Sequence, residues 1–211
     1  MGKFIVIEGL DGTGKTTQIK LLQKSLEQRG IPAVTTAEPT DMPTGKLLRR
    51  VLSGEVPSSP WSTAALFLAD RIQHNCGENG IIENIKNGKT VISDRYYYST
   101  FAYQGSETDL KWAMDIHYSC PFVTRPDLVI FLTADVDECL DRINANRPAN
   151  AIEIYENADA LNRTKDLFSK VFDLIGDKEN IVLVDASGTV DEVHARIIKA
   201  YDNAFGENKL V

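Results

Sequence analysis

Three glycines, a lysine and two threonines lie within residues 9–16, GLDGTGKT, which follow the apolar run FIVI and Glu8. Glycines let the backbone curl so that its N–H groups converge on an anion, and a helix beginning near Lys15 adds its positive dipole end. The Lys15 ammonium can reach the β- and γ-phosphates of a nucleotide, and the Thr16 hydroxyl can ligate Mg²⁺. A chance match in a chain of this length has a probability on the order of 1%. The pattern therefore predicts a phosphate-binding loop (P-loop) that holds ATP or a related triphosphate.

The residues assigned to the triphosphate on this basis share one stretch of sequence. They are Gly9, Leu10, Asp11, Gly12, Thr13, Gly14, Lys15, Thr16 and Thr17.

Asp94 ends another predicted strand, KTVISD at residues 89–94, and Arg95 follows it directly. In a parallel sheet, ligands bind beyond the carboxyl ends of the strands, so both side chains are expected beside the P-loop. The Asp94 carboxylate can hold Mg²⁺ together with Thr16, and the guanidinium of Arg95 can fork onto a phosphate. An Asp–Arg pair alone is equally typical of a surface salt bridge.

The elements that must position these residues alternate along the chain. The sequence predicts strands at residues 3–8, 32–36, 89–94, 127–133 and 180–185. It predicts helices over residues 15–29, from Pro60 after Ser59, over residues 159–175, and after a capping box formed by Thr189 and Glu192. This alternation predicts one α/β domain over residues 1–211, a five-stranded parallel sheet flanked by helices, and the P-loop after its first strand is typical of the P-loop NTPase fold.

The composition limits the possible partners and locations. A net charge of −7 disfavours a nucleic-acid partner, because such partners are bound by basic surfaces. No apolar stretch approaches the ~20 residues of a membrane span, and the N-terminus does not fit a signal peptide. The three cysteines are widely spaced and odd in number, which favours free thiols, a reducing compartment and hence a cytoplasmic protein.

Several longer stretches resemble the thymidylate kinases. ISDRYYYSTFAYQ at residues 92–104 is similar to the family pattern position by position, LFLADR at 66–71 resembles its thymine-binding segment, and VDASGTVDEVHARI at 184–197 resembles its turn near adenine. With the P-loop, the resemblance covers nearly the whole chain. It implies that ATP, with Mg²⁺, phosphorylates dTMP to dTDP, and that the enzyme is a homodimer.

Phe67 and Arg71 lie four residues apart and hence on one face of the predicted helix. The Phe67 ring can stack on a base, and Arg71, which only donates hydrogen bonds, can bind O4 of thymine but not the N4 amino group of cytosine. Taken alone, core packing for Phe67 and a solvated position for Arg71 are ordinary alternatives. The resemblance favours base recognition.

The resemblance assigns further residues to the acceptor. It implies that Tyr103 and Gln104 lie beside the sugar and base, and that Asp11 lies at the 3′-hydroxyl group. The full set assigned to dTMP is Asp11, Glu38, Phe67, Arg71, Arg95, Ser99, Tyr103, Gln104 and Tyr155.

The family divides by the position of its catalytic arginine. One type carries it inside the P-loop, where this chain has Gly12. The other type carries it in a lid, which the resemblance places around residues 142–157, with Arg142 at ATP and Arg147 at the transferring phosphoryl group. The catalytic residues implied are therefore Lys15, Asp94, Arg95 and Arg147.

Ala37 departs from the family pattern, because relatives often carry an arginine directly before the Glu-Pro pair at residues 38–39. Arg49 and Arg50 can substitute for it, or they can be ordinary residues of a helix surface.

Two other functions compete with a thymidylate kinase. A deoxynucleoside kinase shares the P-loop but deprotonates a sugar hydroxyl, and Glu38 could be its base. A GTP-dependent switch would need an Asn-Lys-x-Asp motif to read guanine, and the sequence contains none.

Overall fold

The computed structural model describes residues 1–146 and 158–206. Its centre is a parallel sheet with the strand order β2-β3-β1-β4-β5. The strands are β1 (Phe4–Gly9), β2 (Ala33–Ala37), β3 (Thr90–Asp94), β4 (Leu128–Thr133) and β5 (Ile181–Asp185). The predicted five-stranded parallel α/β fold is confirmed, and each strand begins within one residue of its predicted position.

Helices cover both faces of this sheet. They are α1 (Lys15–Gln28), α2 (Pro43–Leu52), α3 (Pro60–Cys76), α4 (Ile81–Lys86), α5 (Tyr97–Glu107), α6 (Leu110–Tyr118), α7 (Val136–Asn146), α8 (Ala158–Ile175) and α9 (Val190–Phe205). None of the helices in the described ranges is both long and apolar enough to cross a membrane.

The signals that marked two helix starts act as predicted. The Ser59 hydroxyl accepts a hydrogen bond from the Ser62 N–H and so caps α3, with proline in its first turn. Thr189 and Glu192 cap α9 reciprocally, since each side chain bonds to the other residue's backbone N–H. These bonds satisfy N–H groups that have no partner inside the helix.

The core has two layers because β1 is buried on both faces. Ile5 and Ile7 pack with the apolar faces of α1 and α9 on one side of the sheet. Phe4 and Val6 pack on the other side with α4, α5, α6 and α8, where much of the volume is aromatic. A run of apolar residues without alternation is what a doubly covered parallel strand requires.

A buried carboxylate anchors α5. Glu179 accepts hydrogen bonds from the hydroxyl groups of Tyr97, at 2.9 Å, and Tyr98, at 2.7 Å. Burial raises the pKa of both tyrosines, so they remain donors. The bonds tie the start of α5, two residues after Arg95, to the segment before β5.

His117 predicts a fall of stability in mild acid. Burial, and then the nearby Arg71 guanidinium, lower the pKa of His117 to about 3. Its Nδ1 donates to the Ala113 carbonyl, while Nε2 is buried without a hydrogen-bond partner among the described residues. Because the unfolded chain binds a proton near pH 6.5 and the folded chain does not, the free energy of unfolding falls as the pH drops below 6.5.

This loss amounts to about 2 kcal/mol between pH 7 and pH 5. We expect His117→Leu to remove it, so that denaturant melts of the variant depend less on pH than those of the wild type. If the free energy of unfolding changed with pH by the same amount in both proteins, the pKa of His117 would be the same in the folded and unfolded chains, and the prediction would be wrong.

Candidate active site

The P-loop joins β1 to α1, and its glycines adopt conformations that other residues avoid. Gly12 has φ of 84° and Gly14 has φ of 88°. A Cβ atom on Gly14 would meet no atom within 4 Å, whereas one on Gly12 would overlap the carbonyl oxygen of Cys139 in α7. The loop is therefore open at Gly14 and packed directly against α7 at Gly12.

Lys15 is buried inside this loop. Its Nζ donates to the carbonyl oxygens of Gly9, at 3.0 Å, and Leu10, at 2.9 Å, and lies 3.5 Å from the Asp11 carboxylate. Burial, followed by the positive charge of Arg95, lowers the pKa of Lys15. Phosphate oxygens, which carry full negative charge, are stronger acceptors for this ammonium group than the two carbonyls.

Thr16 and Asp94 meet as the sequence analysis expected. The Thr16 hydroxyl donates to Asp94 Oδ2 at 3.3 Å, and Oδ1 is buried with no hydrogen-bond partner in the described part of the chain. A hydroxyl and a carboxylate with a spare oxygen fit Mg²⁺. No cluster of three or more His, Cys, Asp or Glu within the described ranges could hold an ion by itself, so phosphates and water would complete the shell, as is usual for Mg²⁺.

Arg95 turns back from the end of β3 toward the P-loop. Its φ is 67°, a left-handed conformation that is uncommon for a residue other than glycine. Its Nη2 donates to Asp11 Oδ1, and its Nη1 donates to the Ser99 hydroxyl at 3.0 Å. The strained backbone thus places a planar guanidinium against the loop that would hold phosphates.

Glu8 is a site residue that the sequence analysis missed. It is fully buried, and its Oε1 accepts from the backbone N–H groups of Tyr96, at 3.0 Å, and Ser99, at 3.2 Å, at the start of α5. Burial raises the pKa of Glu8 despite the nearby Arg95. Its place at the end of an apolar strand gave no functional signal, but an acidic residue in a run of buried ones needs a partner.

Arg71 and Glu38 form a second, fully enclosed group. Arg71 has no exposed surface, and its Nε donates to Glu38 Oε2 at 2.9 Å, with Nη2 bonded to the same oxygen. Within the described residues, Nη1 of Arg71 is buried without a hydrogen-bond partner. Phe67 lies one turn earlier on α3 and is partly exposed. A planar ligand with an acceptor atom could therefore use both residues.

Tyr103 and Gln104 lie on α5, the same helix as Ser99. Tyr103 is partly buried, bonds to Thr164 and interacts electrostatically with Arg95 and Asp11. Burial raises the pKa of Tyr103, so its hydroxyl stays protonated. Gln104 is buried. The fold thus gathers Asp11, Arg95 and Tyr103 on one side of the P-loop.

Arg142 and Arg49 line the same cleft beside the P-loop. The cleft has a volume of about 780 Å³ and reaches from the P-loop to the turn after β5. Arg142 Nη2 donates to the Ala186 carbonyl at 3.2 Å, and Arg49 donates to the carbonyls of Pro39 and Thr40 at 2.6 and 2.7 Å. These bonds hold both cations at the rim.

Arg49 and Arg50 are the two candidates to replace the arginine missing at Ala37, and their positions favour Arg49. Arg49 and Ala37 both line the cleft. Arg50 is exposed and pairs with Glu55 at 2.8 Å. Arg147 and Tyr155, which were assigned to catalysis and to dTMP, lie outside the described residues.

Comparisons with known proteins agree over nearly the whole chain. The family model described as thymidylate kinase matches residues 7–197. The probable thymidylate kinase of Thermococcus gammatolerans is 37% identical over 207 residues, covering 94% of this chain and 95% of the relative. The probable thymidylate kinase of Thermococcus kodakarensis is 36% identical over 214 residues, covering 97% of this chain and 99% of the relative. The probable thymidylate kinase of Methanosphaera stadtmanae is 38% identical over 204 residues, covering 93% of this chain and 97% of the relative.

Proposed function

The chain belongs to the thymidylate kinase family, and on that premise we propose that it transfers the γ-phosphoryl group of ATP to dTMP, giving ADP and dTDP. The observation that carries the proposal is the pairing of a P-loop with the buried Arg71, whose Nη1 has no partner in the described residues. Thymine offers the acceptor O4 at the position where cytosine offers an amino donor. A buried donor without a partner in the described residues therefore favours thymine.

Positioning and charge carry the transfer in this proposal. The acceptor phosphate has a second pKa near ~6 and is largely dianionic at neutral pH, so it needs no strong base. Lys15 and Arg95 hold the negative oxygens of the two substrates together, and Asp11 receives the 3′-hydroxyl group of dTMP. Arg49 takes the place of the arginine missing at Ala37, on the evidence of its position in the cleft.

Mg²⁺ is the proposed cofactor, held by Thr16 and Asp94 with the phosphates of ATP. The spare buried oxygen of Asp94 supports this assignment. When bound, the ion would neutralise charge between the β- and γ-phosphates. The side chains themselves supply its protein ligands, and the hydrogen bond between them sets their spacing before the ion binds.

The lid remains part of the proposal. We propose one domain over residues 1–211 with a lid around residues 142–157 that brings Arg147 to the phosphoryl group. Its only described cation, Arg142, lies in the second half of α7 beside the turn after β5, where it can meet the base of ATP. Closure would exclude water and limit hydrolysis.

Glu38 is poorly suited to the rival role of a base in a deoxynucleoside kinase. Both of its oxygens are already bonded, Oε2 to Arg71 and Oε1 to His74 Nδ1 at 3.0 Å. To take a proton from a sugar hydroxyl, Glu38 would have to give up one of these bonds. This geometry favours a monophosphate as the acceptor.

The test is ADP formation with ATP and, in separate assays, dTMP, dUMP, dCMP, UMP and thymidine, each with and without Mg²⁺. We expect fast release with dTMP and Mg²⁺, weak release with dUMP, and none with thymidine. Release with thymidine but not with dTMP would overturn the proposal and make Glu38 the base. Equal turnover without any divalent cation would overturn the Mg²⁺ assignment.

A homodimer and a cytoplasmic location complete the proposal. Trp61 of α3 is half-exposed and contacts Trp112 of α6, with ring centroids 4.8 Å apart, which supports an apolar contact between copies on this face. The three cysteines are free thiols, as a reducing compartment favours. Sedimentation measures the assembly, and the mass of a monomer at assay concentration would contradict the dimer.

A further inference from the structure

Behind Arg71, a chain of hydrogen bonds runs across the buried side of α3. Glu38 Oε2 accepts from Arg71, while Glu38 Oε1 is 3.0 Å from His74 Nδ1. The other ring nitrogen of His74, Nε2, bonds to the Thr36 hydroxyl at the end of β2. Arg71, Glu38 and His74 all expose less than a tenth of their surface. Four residues, from β2, the loop directly after it and α3, are thus linked in series: Thr36, Glu38, His74 and Arg71, with Thr36 bonded to His74, His74 to Glu38 and Glu38 to Arg71.

The carboxylate partner fixes the role of one ring nitrogen. A carboxylate only accepts hydrogen bonds, so Nδ1 of His74 must donate to Glu38. The Thr36 hydroxyl, which can donate or accept, is the partner of Nε2 and holds the ring from its other side. His74 therefore holds Oε1 of Glu38 in place through its Nδ1–H group.

The position of Glu38 in turn determines which nitrogen of Arg71 has no hydrogen-bond partner among the described residues. A carboxylate with two available oxygens grips a guanidinium at two nitrogens in a fork. Here only Oε2 faces Arg71, where it takes Nε and Nη2 and leaves Nη1 without a partner in the described ranges. If Oε1 were released, Glu38 could turn to the other edge of the guanidinium and pair with Nη1 and Nη2 instead of Nε and Nη2. Nη1 of Arg71 would then donate to Glu38 and would no longer be available to the base.

We propose that His74 is a positioning residue for recognition of the acceptor base: it holds Oε1 of Glu38 away from Arg71, so that Nη1 of Arg71 stays available to thymine O4. The inference rests on the proposed function. His74 itself does not touch dTMP. Its neighbour in α3, Asp70, serves a separate purpose, because it accepts from Thr40 and Thr44 and so anchors the start of α2.

Two amide substitutions test this role as a matched pair. Asparagine at residue 74 places its NH₂ group near the position of Nδ1, within reach of Glu38. Glutamine places its amide near the position of Nε2, within reach of Thr36 only. Both variants are neutral and polar, so a general effect on folding or polarity would change the two alike.

The readouts are KM for dTMP, kcat, and the ratio of kcat/KM for dTMP to that for dCMP. For His74→Gln we expect KM for dTMP to rise about tenfold and the ratio to fall about tenfold, because a hydrogen bond to a charged group carries about this effect. The value of kcat at saturating dTMP should stay within about threefold, since the P-loop is untouched. His74→Asn should restore KM to within about threefold of the wild type.

Equal constants for the Asn and Gln variants, or a fall in kcat with KM unchanged, would overturn the proposal. If His74→Gln does not fold, His74→Leu, which removes both hydrogen bonds, gives the same test against His74→Asn. A wild-type protein that fails to phosphorylate dTMP would overturn this inference together with the proposed function. Normal wild-type turnover with identical Asn and Gln variants would overturn the inference alone.

Discussion

Replacing Lys15 by methionine is expected to lower kcat by about 10³-fold or more while leaving the protein folded. The ammonium group is the charge nearest to the expected β- and γ-phosphates, and methionine fills a similar volume without it. Burial and then Arg95 lower the pKa of Lys15, which shows that its charge is costly in the free protein. The thermal midpoint of the variant should therefore be unchanged or higher, although two carbonyls lose a donor.

Lys24→Met is the matched control, because Lys24 lies on the same helix but is exposed. Steady-state ADP release and a thermal melt of both variants measure the prediction. Near-normal turnover of Lys15→Met would refute the assignment of the P-loop as the ATP site. Loss of folding in that variant alone would show that Lys15 stabilises the loop rather than the transferred group.

Replacing Arg95 by lysine is expected to lower kcat by about 10²- to 10³-fold, although the charge is kept. The guanidinium reaches Asp11 with Nη2 and Ser99 with Nη1 at the same time. A lysine is a point charge and cannot keep this orientation while also binding a phosphate. KM for ATP should change little, since the P-loop holds that substrate through its own backbone.

Arg50→Lys serves as the control, because Arg50 is exposed and pairs only with Glu55 among the contacts described. Single-turnover measurements at saturating ATP and dTMP separate the chemical step from binding. If Arg95→Lys retained its rate in that assay, Arg95 would hold the loop through Asp11 without touching the transferred group.

Local patterns in the sequence were sufficient to predict the sheet and the part of the candidate site that surrounds the P-loop. The spacing of Gly9, Gly12, Gly14, Lys15 and Thr16 predicted a loop between a strand and a helix, and β1, the P-loop and α1 follow in that order. Asp94 was placed beside Thr16 because parallel strands end at one edge of a sheet, and the two side chains are 3.3 Å apart. Both inferences need only order along the chain and the direction of the strands.

Contacts between residues distant in sequence could not be predicted in this way. Glu38 and Arg71 are 33 residues apart and Glu8 and Ser99 are 91 apart, and which surfaces meet depends on how helices pack on the sheet. The helices α2, α4, α5, α6 and α7 were also missed, and α7 includes residues 141–146, which the sequence analysis had assigned to a flexible loop. In α5 consecutive residues are buried, such as Tyr97 and Tyr98 or Phe101 and Ala102, so the buried side chains surround the helix. No apolar face with a 3.6-residue period therefore marks this helix in the sequence.

The contact between Gly12 and α7 restricts how this enzyme could have diverged. Since a Cβ atom at residue 12 would overlap the Cys139 carbonyl, every substitution there meets backbone, which cannot rotate away. An ancestor could not exchange a lid arginine for one inside the P-loop by a single mutation, because α7 would have to shift first. Along such a lineage, the steric overlap requires the shift of α7 to precede the substitution at residue 12. The same reasoning tells a protein engineer to rebuild the start of α7 before introducing Gly12→Arg.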